Sequence, residues 1–251
     1  MLGYDGPEMI GTQFISEVPA IMALLAVAAP SSLSADHHVE PRAVSQVQGE
    51  VVVLLHGMGR TRRSMARLET SLREAGYQVV NYPYHSRRHR VERHGRDFVD
   101  QLSEIAGRDD VRAIHLVGHS LGNIVIRWAL ANDEGRIPDE KIGRVVMLAP
   151  PNGGSSRADL VEPWLSWFSR PLSDLTTRAE STANTIPPLH GVDIGIIAGS
   201  RDPIVSVKET LLSGQTEHIL VPCGHTFIMR NNEVIELTSL FLRTGSFNRT
   251  R

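Results

Sequence analysis

Residues 111–130 read VRAIHLVGHSLGNIVIRWAL and are the most informative segment of the chain. The segment begins as an apolar run typical of a buried strand and ends with apolar residues at helical spacing. Between the two parts lies Gly118-His119-Ser120-Leu121-Gly122, a G-x-S-x-G motif in the strand, turn and helix context that such a motif requires. Glycine is expected at both ends because a side chain there would collide with the adjoining strand and helix. The segment therefore predicts Ser120 as a nucleophile at the carboxyl end of a strand, beside a helix N-terminus that stabilises negative charge.

The rest of the chain from residue 50 onward repeats this alternation of short apolar runs and longer amphipathic stretches. Such alternation is typical of βαβ units on a parallel sheet. The six predicted strands are Glu50–Leu55, Tyr77–Tyr82, Val111–Val117, Ile142–Ala149, Val192–Ala198 and Thr216–Val221. The four predicted helices are Ser64–Ala75, His94–Ala106, Leu121–Asn132 and Glu233–Arg243. We therefore predict an α/β fold of three layers with a mostly parallel sheet of about six strands.

The connection between Ala149 and Val192 departs from this alternation. It is about 40 residues long, and connections of that length in a compact α/β domain are usually functional. It contains six prolines and a group of large apolar residues. That group comprises Trp164, Leu165, Trp167 and Phe168. We predict a short cap insertion at about residues 151–190, with the apolar group either forming its underside or fastening it to the core.

A serine hydroxyl is a weak nucleophile until a base removes its proton, so a histidine is needed. The chain has eleven. In this architecture the acid and then the histidine follow the serine in sequence, on loops at the carboxyl ends of later strands. His225 meets this condition because it follows the last predicted strand and precedes the last helix. The other histidines from residue 50 onward lie inside a strand, at the wrong strand end, beside the serine or on early loops: His56, His85, His89, His94, His115, His119, His190 and His218.

The acid follows from the same reasoning. Asp202 lies just past the fifth predicted strand, where its carboxylate would orient the imidazole and stabilise the imidazolium. Asp193 begins that strand and so lies at the opposite edge of the sheet. Asp159 and Asp174 fall in the predicted cap. The sequence therefore predicts Asp202 as the acid.

The first strand leads into His56-Gly57-Met58-Gly59, whose glycines let the backbone approach a reacting acyl group closely. We predict an oxyanion hole formed by the backbone N–H groups of Met58 and Leu121, the residue after the nucleophile. His56 is expected to anchor this loop by hydrogen bonding.

Together these segments resemble bacterial lipases and esterases of the alpha/beta hydrolase superfamily, over about residues 50–245. The matching pieces are LLHGM at 54–58, GHSLG at 118–122, VMLAPPNGGS at 146–155, the Asp202 segment and CGHTFIMR at 223–230. The resemblance implies the three-layer alpha/beta hydrolase fold and hydrolysis of acyl esters by Ser120, Asp202 and His225 without a cofactor.

Two departures from the full family pattern matter. Only Ala43–Gly49 lies between Arg42 and the first strand, which is too short for the antiparallel hairpin that opens the eight-stranded form. We therefore expect the reduced six-stranded sheet of small lipases. The modest cap disfavours a deeply lidded lipase and leaves a simple esterase open.

The composition excludes several other classes of protein. A formal net charge of −2 offers no field that would recruit nucleic acid, and one cysteine excludes a disulfide framework. His85, His89 and His94 have spacings that could bind a metal, but no carboxylate or cysteine completes a site, so no metal is predicted. Two groups of arginines could meet a phosphate or carboxylate on a substrate or could form a solvated basic face. These are Arg60, Arg62, Arg63 and Arg67, and Arg87, Arg88, Arg90, Arg93 and Arg96.

Residues 1–41 form an acidic N-terminal extension without lysine or arginine. Ten apolar residues at 20–29 are too few for a transmembrane helix. They suit the apolar region of a signal peptide cleaved near residue 35, although such a peptide normally begins with positive charge. The alternative is an apolar helix on a cytoplasmic protein; the small residues before Asp36 favour export to the periplasm or medium. Residues 42–251 would then be the hydrolase domain.

The predicted function is that of a serine hydrolase of lipase or esterase type, acting on a small-molecule or lipid ester through an acyl-enzyme. Three alternatives use the same triad: an acyltransferase, a thioesterase and an amidase. A non-catalytic binding protein with this fold is a further alternative, although it would usually have lost a triad residue. Peripheral contact with lipid is compatible with the sequence, which makes no prediction of oligomeric state.

Overall fold

The computed structural model describes residues 47–165 and 169–248. Its centre is a parallel sheet of six strands in the order β2-β1-β3-β4-β5-β6. The strands are β1 Glu50–Leu55, β2 Gln78–Asn81, β3 Ala113–His119, β4 Ile142–Leu148, β5 Ile194–Gly199 and β6 Glu217–Val221. This confirms the predicted α/β fold with a reduced sheet of six strands, and every pair of neighbouring strands is parallel.

Helices cover both faces of the sheet. They are α1 Ala66–Glu74, α2 Val91–Ala106, α3 Leu121–Ala131, α4 Ser156–Leu165, α5 Thr182–Thr185, α6 Val207–Thr210 and α7 Asn232–Thr244. Side chains of α2 and α3, such as Phe98 and Ile124, join one buried apolar core. Side chains of α1 and α7, such as Leu72 and Phe241, join a second. Successive residues of β1 contribute alternately to the two cores, as expected of a strand covered on both faces.

The strand order places the site. The central strand β3 pairs with β1 as far as Leu55 and Gly118 and ends at His119, directly before Ser120. The sequence placed this end at Val117, two residues early. The ends of β5 and β6, which lead to Asp202 and His225, lie on one side of Ser120, and the end of β1 lies on the other. All four carboxyl ends therefore meet at one edge of the sheet.

Helix α2 begins at Val91, three residues before the predicted start at His94. The cause is a carboxylate from a distant part of the chain. Asp174 accepts a hydrogen bond from the Val91 N–H at 2.9 Å and so satisfies a donor at the helix N-terminus that has no partner within the helix.

The predicted extension at residues 1–41, its cleavage near residue 35 and the domain boundary at residue 42 lie outside the described residues. The predicted apolar group of the cap extends into residues 166–168, which also lie outside them. Within 47–165 and 169–248, the structure contains no helix with the length and apolar character needed to cross a membrane.

Candidate active site

Ser120 occupies a sharp turn between β3 and α3. Its φ of 51° and ψ of −122° lie outside the regions that side-chain-bearing residues normally adopt, and such backbone costs about 1–3 kcal/mol. The carbonyl oxygen of Leu148, at the end of β4, stabilises this turn. It accepts hydrogen bonds from the backbone N–H of Ser120 at 3.0 Å and from the side-chain amide of Asn123 at 3.1 Å. The turn thus holds the serine at the edge of the sheet in one conformation.

The glycines of the motif are required by close approach. A Cβ on Gly122 would lie 2.6 Å from the carbonyl oxygen of Leu55, at the end of β1. A Cβ on Gly118 would overlap the side-chain amide of Asn123. Both positions agree with the collision expected from the sequence.

The structure brings Ser120, His225 and Asp202 together. His225 Nε2 lies 2.9 Å from Ser120 Oγ, and His225 Nδ1 lies 2.7 Å from Asp202 Oδ2. Because a carboxylate only accepts hydrogen bonds, Nδ1 carries the proton and Nε2 accepts from the serine hydroxyl. Ser120 and His225 are 9% and 8% exposed, so the hydroxyl is partly shielded from water yet within reach of a small group. The chain of bonds is complete from acid to base to hydroxyl.

Asp202 is held by its second oxygen. Oδ1 accepts hydrogen bonds from the backbone N–H groups of Ile204 and Val205, at 2.7 and 3.0 Å. Its side chain is buried. The carboxylate therefore cannot rotate away from His225 without breaking two bonds. Asp193, the rejected alternative, lies at the other end of β5 with its carboxylate 3.5 Å from Arg144.

The loop after β1 packs against Ser120. A Cβ on Gly57 would lie 3.2 Å from Ser120 Cβ. The N–H of Met58 has no hydrogen-bond acceptor within the part of the chain that the structure describes. Leu121 is the first residue of α3, so its N–H has no acceptor within the helix. Both predicted oxyanion donors therefore lie on segments that adjoin Ser120.

Two hydrogen bonds stabilise the loop at residues 56–59, one within it and one from Tyr84. His56 Nδ1 donates to the carbonyl oxygen of Gly57 at 3.0 Å, and the Tyr84 hydroxyl donates to the carbonyl oxygen of His56 at 2.6 Å. The rings of His56 and Tyr84 also stack at 4.4 Å between centroids. His56 thus lies where the sequence expected an anchor, and Tyr84 is an anchor that the sequence did not indicate.

His119 is a second residue that sequence reasoning passed over. Its Nε2 lies 3.0 Å from the backbone carbonyl of His225, so this nitrogen carries the proton and donates. A Cβ on Gly57 would lie 2.7 Å from its Nδ1, so the ring packs directly against the loop after β1. Burial, together with the nearby His225, lowers the pKa of His119 well below its usual value and keeps the ring neutral. One imidazole therefore contacts both loops that flank the serine.

The profile of the alpha/beta hydrolase family matches residues 52–193. This match spans more than half of the chain. The chain belongs to the alpha/beta hydrolase family. A search of curated proteins returned no match for this hydrolase.

Solved structures similar to this hydrolase include the mature lipase BlEst2 of Bacillus licheniformis, which is 17% identical with a TM-score of 0.59 and covers 78% of this chain and 91% of that one. Esterase Pf2001 of Pyrococcus furiosus is 19% identical with a TM-score of 0.55, covering 78% and 83%. A structure from a study of carboxylesterases of Nitrososphaera gargenis is 15% identical with a TM-score of 0.58, covering 78% and 91%. At such identities the likeness concerns the fold.

Four further histidines in the described part of the chain make contacts with other residues. His115 contacts Glu50 at 3.1 Å, and His218 contacts Thr210 at 2.8 Å. His89 and His94 lie close together, with ring centroids 5.7 Å apart. No group of three or more histidine, cysteine, aspartate or glutamate side chains in residues 47–165 and 169–248 could hold a metal ion.

The insertion between β4 and β5 of the hydrolase contains α4, a 3-10 turn at Arg170–Leu175 and α5. Asp174 and Arg127 are buried polar side chains that join it to the core, a role that the sequence did not indicate for either residue. Asp174 binds Arg90 and caps α2. Arg127 of α3 donates to carbonyl oxygens at both ends of the insertion. Their partners are distant in sequence, so only the structure reveals them.

Proposed function

We propose that the chain is a serine hydrolase that cleaves carboxylic esters, with Ser120 as nucleophile, His225 as general base and acid, and Asp202 as the residue that orients His225. The hydrogen-bonded chain from Asp202 through His225 to the Ser120 hydroxyl carries this proposal. Membership of the alpha/beta hydrolase family supports it, since hydrolysis is the activity for which that fold is named.

Acylation follows from the protonation states in this chain. His225 Nε2 accepts the proton of the Ser120 hydroxyl as Oγ attacks the ester carbonyl carbon. The carbonyl oxygen becomes an oxyanion, for which the N–H groups of Met58 and Leu121 are the proposed donors. The imidazolium formed is stabilised by the carboxylate of Asp202, which stays ionised. When the tetrahedral intermediate collapses, Nε2 returns the proton to the leaving alcohol, and an acyl-enzyme remains.

Deacylation repeats these steps with water. Nε2 of His225 accepts a proton from a water molecule while the water oxygen attacks the acyl carbon. The N–H groups of Met58 and Leu121 face the second oxyanion. Collapse returns the proton to Ser120 Oγ and releases the carboxylic acid. The substrate would be a small-molecule or lipid ester, since the similar structures are named lipases and esterases.

The proposal is tested with a panel of p-nitrophenyl esters of increasing chain length and a phospholipid, using wild type, Asp202→Asn and Asp193→Asn. In Asp202→Asn the amide oxygen keeps the two backbone N–H bonds, so its NH₂ faces His225 Nδ1. That nitrogen must then accept, Nε2 carries the proton, and the serine loses its base. We expect kcat to fall about 10³–10⁴-fold.

Asp193→Asn is the matched control, because it makes the same chemical change at the opposite end of β5. It should retain kcat within about twofold, since an exposed and distant surface ion pair contributes little. Loss of activity in Asp193→Asn alone would refute the assignment of the acid. Hydrolysis of none of the esters by wild type would refute the proposed activity.

A further inference from the structure

A cavity of about 430 Å³ lies beside the proposed oxyanion loop. It is formed by two segments that follow neighbouring strands, residues 59–61 after β1 and residues 84–88 after β2. Its lining side chains that can carry a positive charge are Arg60, His85, Arg87 and Arg88, Tyr84 also lines it, and its described lining includes no carboxylate. We call this space the arginine cavity. Its size lies within the range of small-molecule sites, but its lining suits a polar group better than an acyl chain.

The structure sorts the arginines that follow β1 and β2 into two kinds. Several have protein partners away from the cavity. Arg67 binds the carbonyl oxygen of Arg230 and the side chain of Asn232, and Arg90, Arg93 and Arg96 pair with Asp174, Asp97 and Glu92. By contrast, neither Arg60 nor Arg88 has a carboxylate within 4.0 Å in the part of the chain that the structure describes. Arg62 and Arg63, which do not line the cavity, have none there either, so Arg60 and Arg88 are distinguished by their position at the cavity together with the lack of a carboxylate partner.

The arginine cavity is joined rigidly to the proposed site. The N–H of Gly59 donates to the hydroxyl of buried Ser86 at 3.0 Å, which ties the two cavity segments together. Gly57, two residues before Gly59, packs against Ser120. The guanidinium of Arg60 lies 5.7 Å from the ring centroid of Phe227, two residues past His225. Arg60 therefore extends from the oxyanion loop toward the loop that carries the proposed base.

We propose that the arginine cavity binds an anionic group, a phosphate or a carboxylate, on the ester substrate while Ser120 attacks the ester bond. Guanidinium groups present several N–H donors to such groups, and these charge-assisted bonds are stronger than neutral ones. The substrate class would then be esters that carry a negative charge near the scissile bond. This inference rests on the proposed ester hydrolysis and narrows its substrate.

The test compares esters that differ only by a charged group. One pair is p-nitrophenyl pentanoate and mono-p-nitrophenyl glutarate, in which a carboxylate replaces the terminal methyl group. The other is 1-butanoylglycerol and 1-butanoylglycerol 3-phosphate. For each pair the ratio of kcat/KM, charged over neutral, is measured in wild type, in Arg60→Gln/Arg88→Gln and in Arg62→Gln/Arg63→Gln. The second double variant is a matched control, because it removes the same charge from exposed arginines that do not line the cavity.

We expect the ratio of at least one pair to fall about tenfold or more in Arg60→Gln/Arg88→Gln, as loss of a charge-assisted hydrogen bond implies. The control should keep the wild-type ratio, and the pair affected identifies the group as carboxylate or phosphate. An unchanged ratio in the cavity variant, or an equal fall in both variants, would overturn the inference.

Failure of the proposed activity gives a different result. If wild type cleaves none of the four esters, the proposed ester hydrolysis is wrong. Calorimetric titration with inorganic phosphate and with glutarate then tests separately whether the arginine cavity binds anions. Binding to wild type and the control, weakened about tenfold in Arg60→Gln/Arg88→Gln, would support an anion site. Absence of binding to wild type, or equal binding by all three proteins, would overturn it.

Discussion

The imidazole of His119 connects the two loops between which the serine lies. It donates to the backbone of His225 on one side and packs against Gly57 on the other. It does not touch the serine hydroxyl, so its effect on turnover would be exerted through the position of the base. Because reacting groups must be placed to within about 1 Å, such support affects rate without being part of the chemistry.

We predict that His119→Phe lowers kcat about 10-fold to 100-fold with little change in KM, because an aromatic ring still fills the site but the His225 carbonyl loses its donor. His119→Gln, whose amide can donate to the same carbonyl, should recover part of kcat. The measurement is steady-state kinetics on one p-nitrophenyl ester, with circular dichroism to show that both variants fold. A His119→Phe enzyme with wild-type kcat would contradict the positioning role.

The sequence predicted which loops would meet, because strand topology alone brings the residues that follow β3, β5 and β6 to one edge. With Ser120 given by its G-x-S-x-G motif, Asp202 and His225 could therefore be proposed without coordinates. The hydrogen bond of His119 to the backbone of His225 could not be predicted in the same way. Its partner lies 106 residues further along the chain, and no periodicity or motif records a bond to a backbone carbonyl.

Helix α3 begins directly after Ser120, and its residue Arg127 binds the insertion between β4 and β5. Arg127 is 3% exposed and donates to the carbonyl oxygens of Asn152, Ala183 and Ile186, which lie at the two ends of the insertion. Burial lowers its pKa to about 10, which still leaves it charged near neutral pH. The guanidinium thus replaces water for carbonyl groups that would otherwise be buried without donors.

We predict that Arg127→Ala lowers the free energy of unfolding by about 3–5 kcal/mol, because several buried acceptors lose a charged donor together. Arg136→Ala is the control, since Arg136 is a half-exposed arginine paired with exposed Asp100, and it should cost less than about 1 kcal/mol. Urea denaturation followed by circular dichroism measures both values. Equal costs for the two variants would show that Arg127 does not fasten the insertion.

Element boundaries were predictable where the cause is local. Strand β1 begins and ends as predicted because its apolar run is bounded by Gly49 and His56. The start of α2 was placed three residues late because its cap, Asp174, comes from the insertion 83 residues away from Val91. The residues near His94 do not indicate that a carboxylate from the insertion caps this helix.

Across the whole molecule, buried histidines link folding to pH. His94 is 3% exposed, and burial, aided by the positive form of His89, lowers its pKa to about 4. Asp97 and Asp174 oppose this shift and His56 adds slightly to it. Burial also lowers the pKa of His115 and His119. In the unfolded chain each titrates near its ordinary value of about 6.5.

These shifts set the sign of the pH dependence. Between about pH 6.5 and about pH 4 the unfolded chain binds protons that the native chain excludes, so the free energy of unfolding falls as the pH falls. His94→Leu removes up to about one of these protons and should flatten the dependence between about pH 7 and about pH 5. Urea unfolding of wild type and variant across this range measures the slopes. Equal slopes would show that His94 is not held neutral by the fold.

The whole architecture was predictable because six apolar runs separated by amphipathic stretches leave few alternatives to a covered parallel sheet. The distribution of arginines was not. The sequence places Arg60 and Arg67 seven residues apart on one basic segment, yet Arg60 lines a cavity while Arg67 binds Arg230 and Asn232. Side-chain partners of this kind depend on how segments pack together, which a single sequence does not record.

The proposed role of Ser120 is tested most directly by covalent labelling with a fluorophosphonate probe, followed by peptide mass spectrometry to locate the label. A serine activated by a neutral histidine attacks such a probe, whereas an ordinary serine hydroxyl does not. We predict a single label on Ser120 in wild type, none in Ser120→Ala, and labelling slowed by orders of magnitude in His225→Asn. A folded wild-type protein that stays unlabelled, or carries its label on another serine, would contradict this role of Ser120.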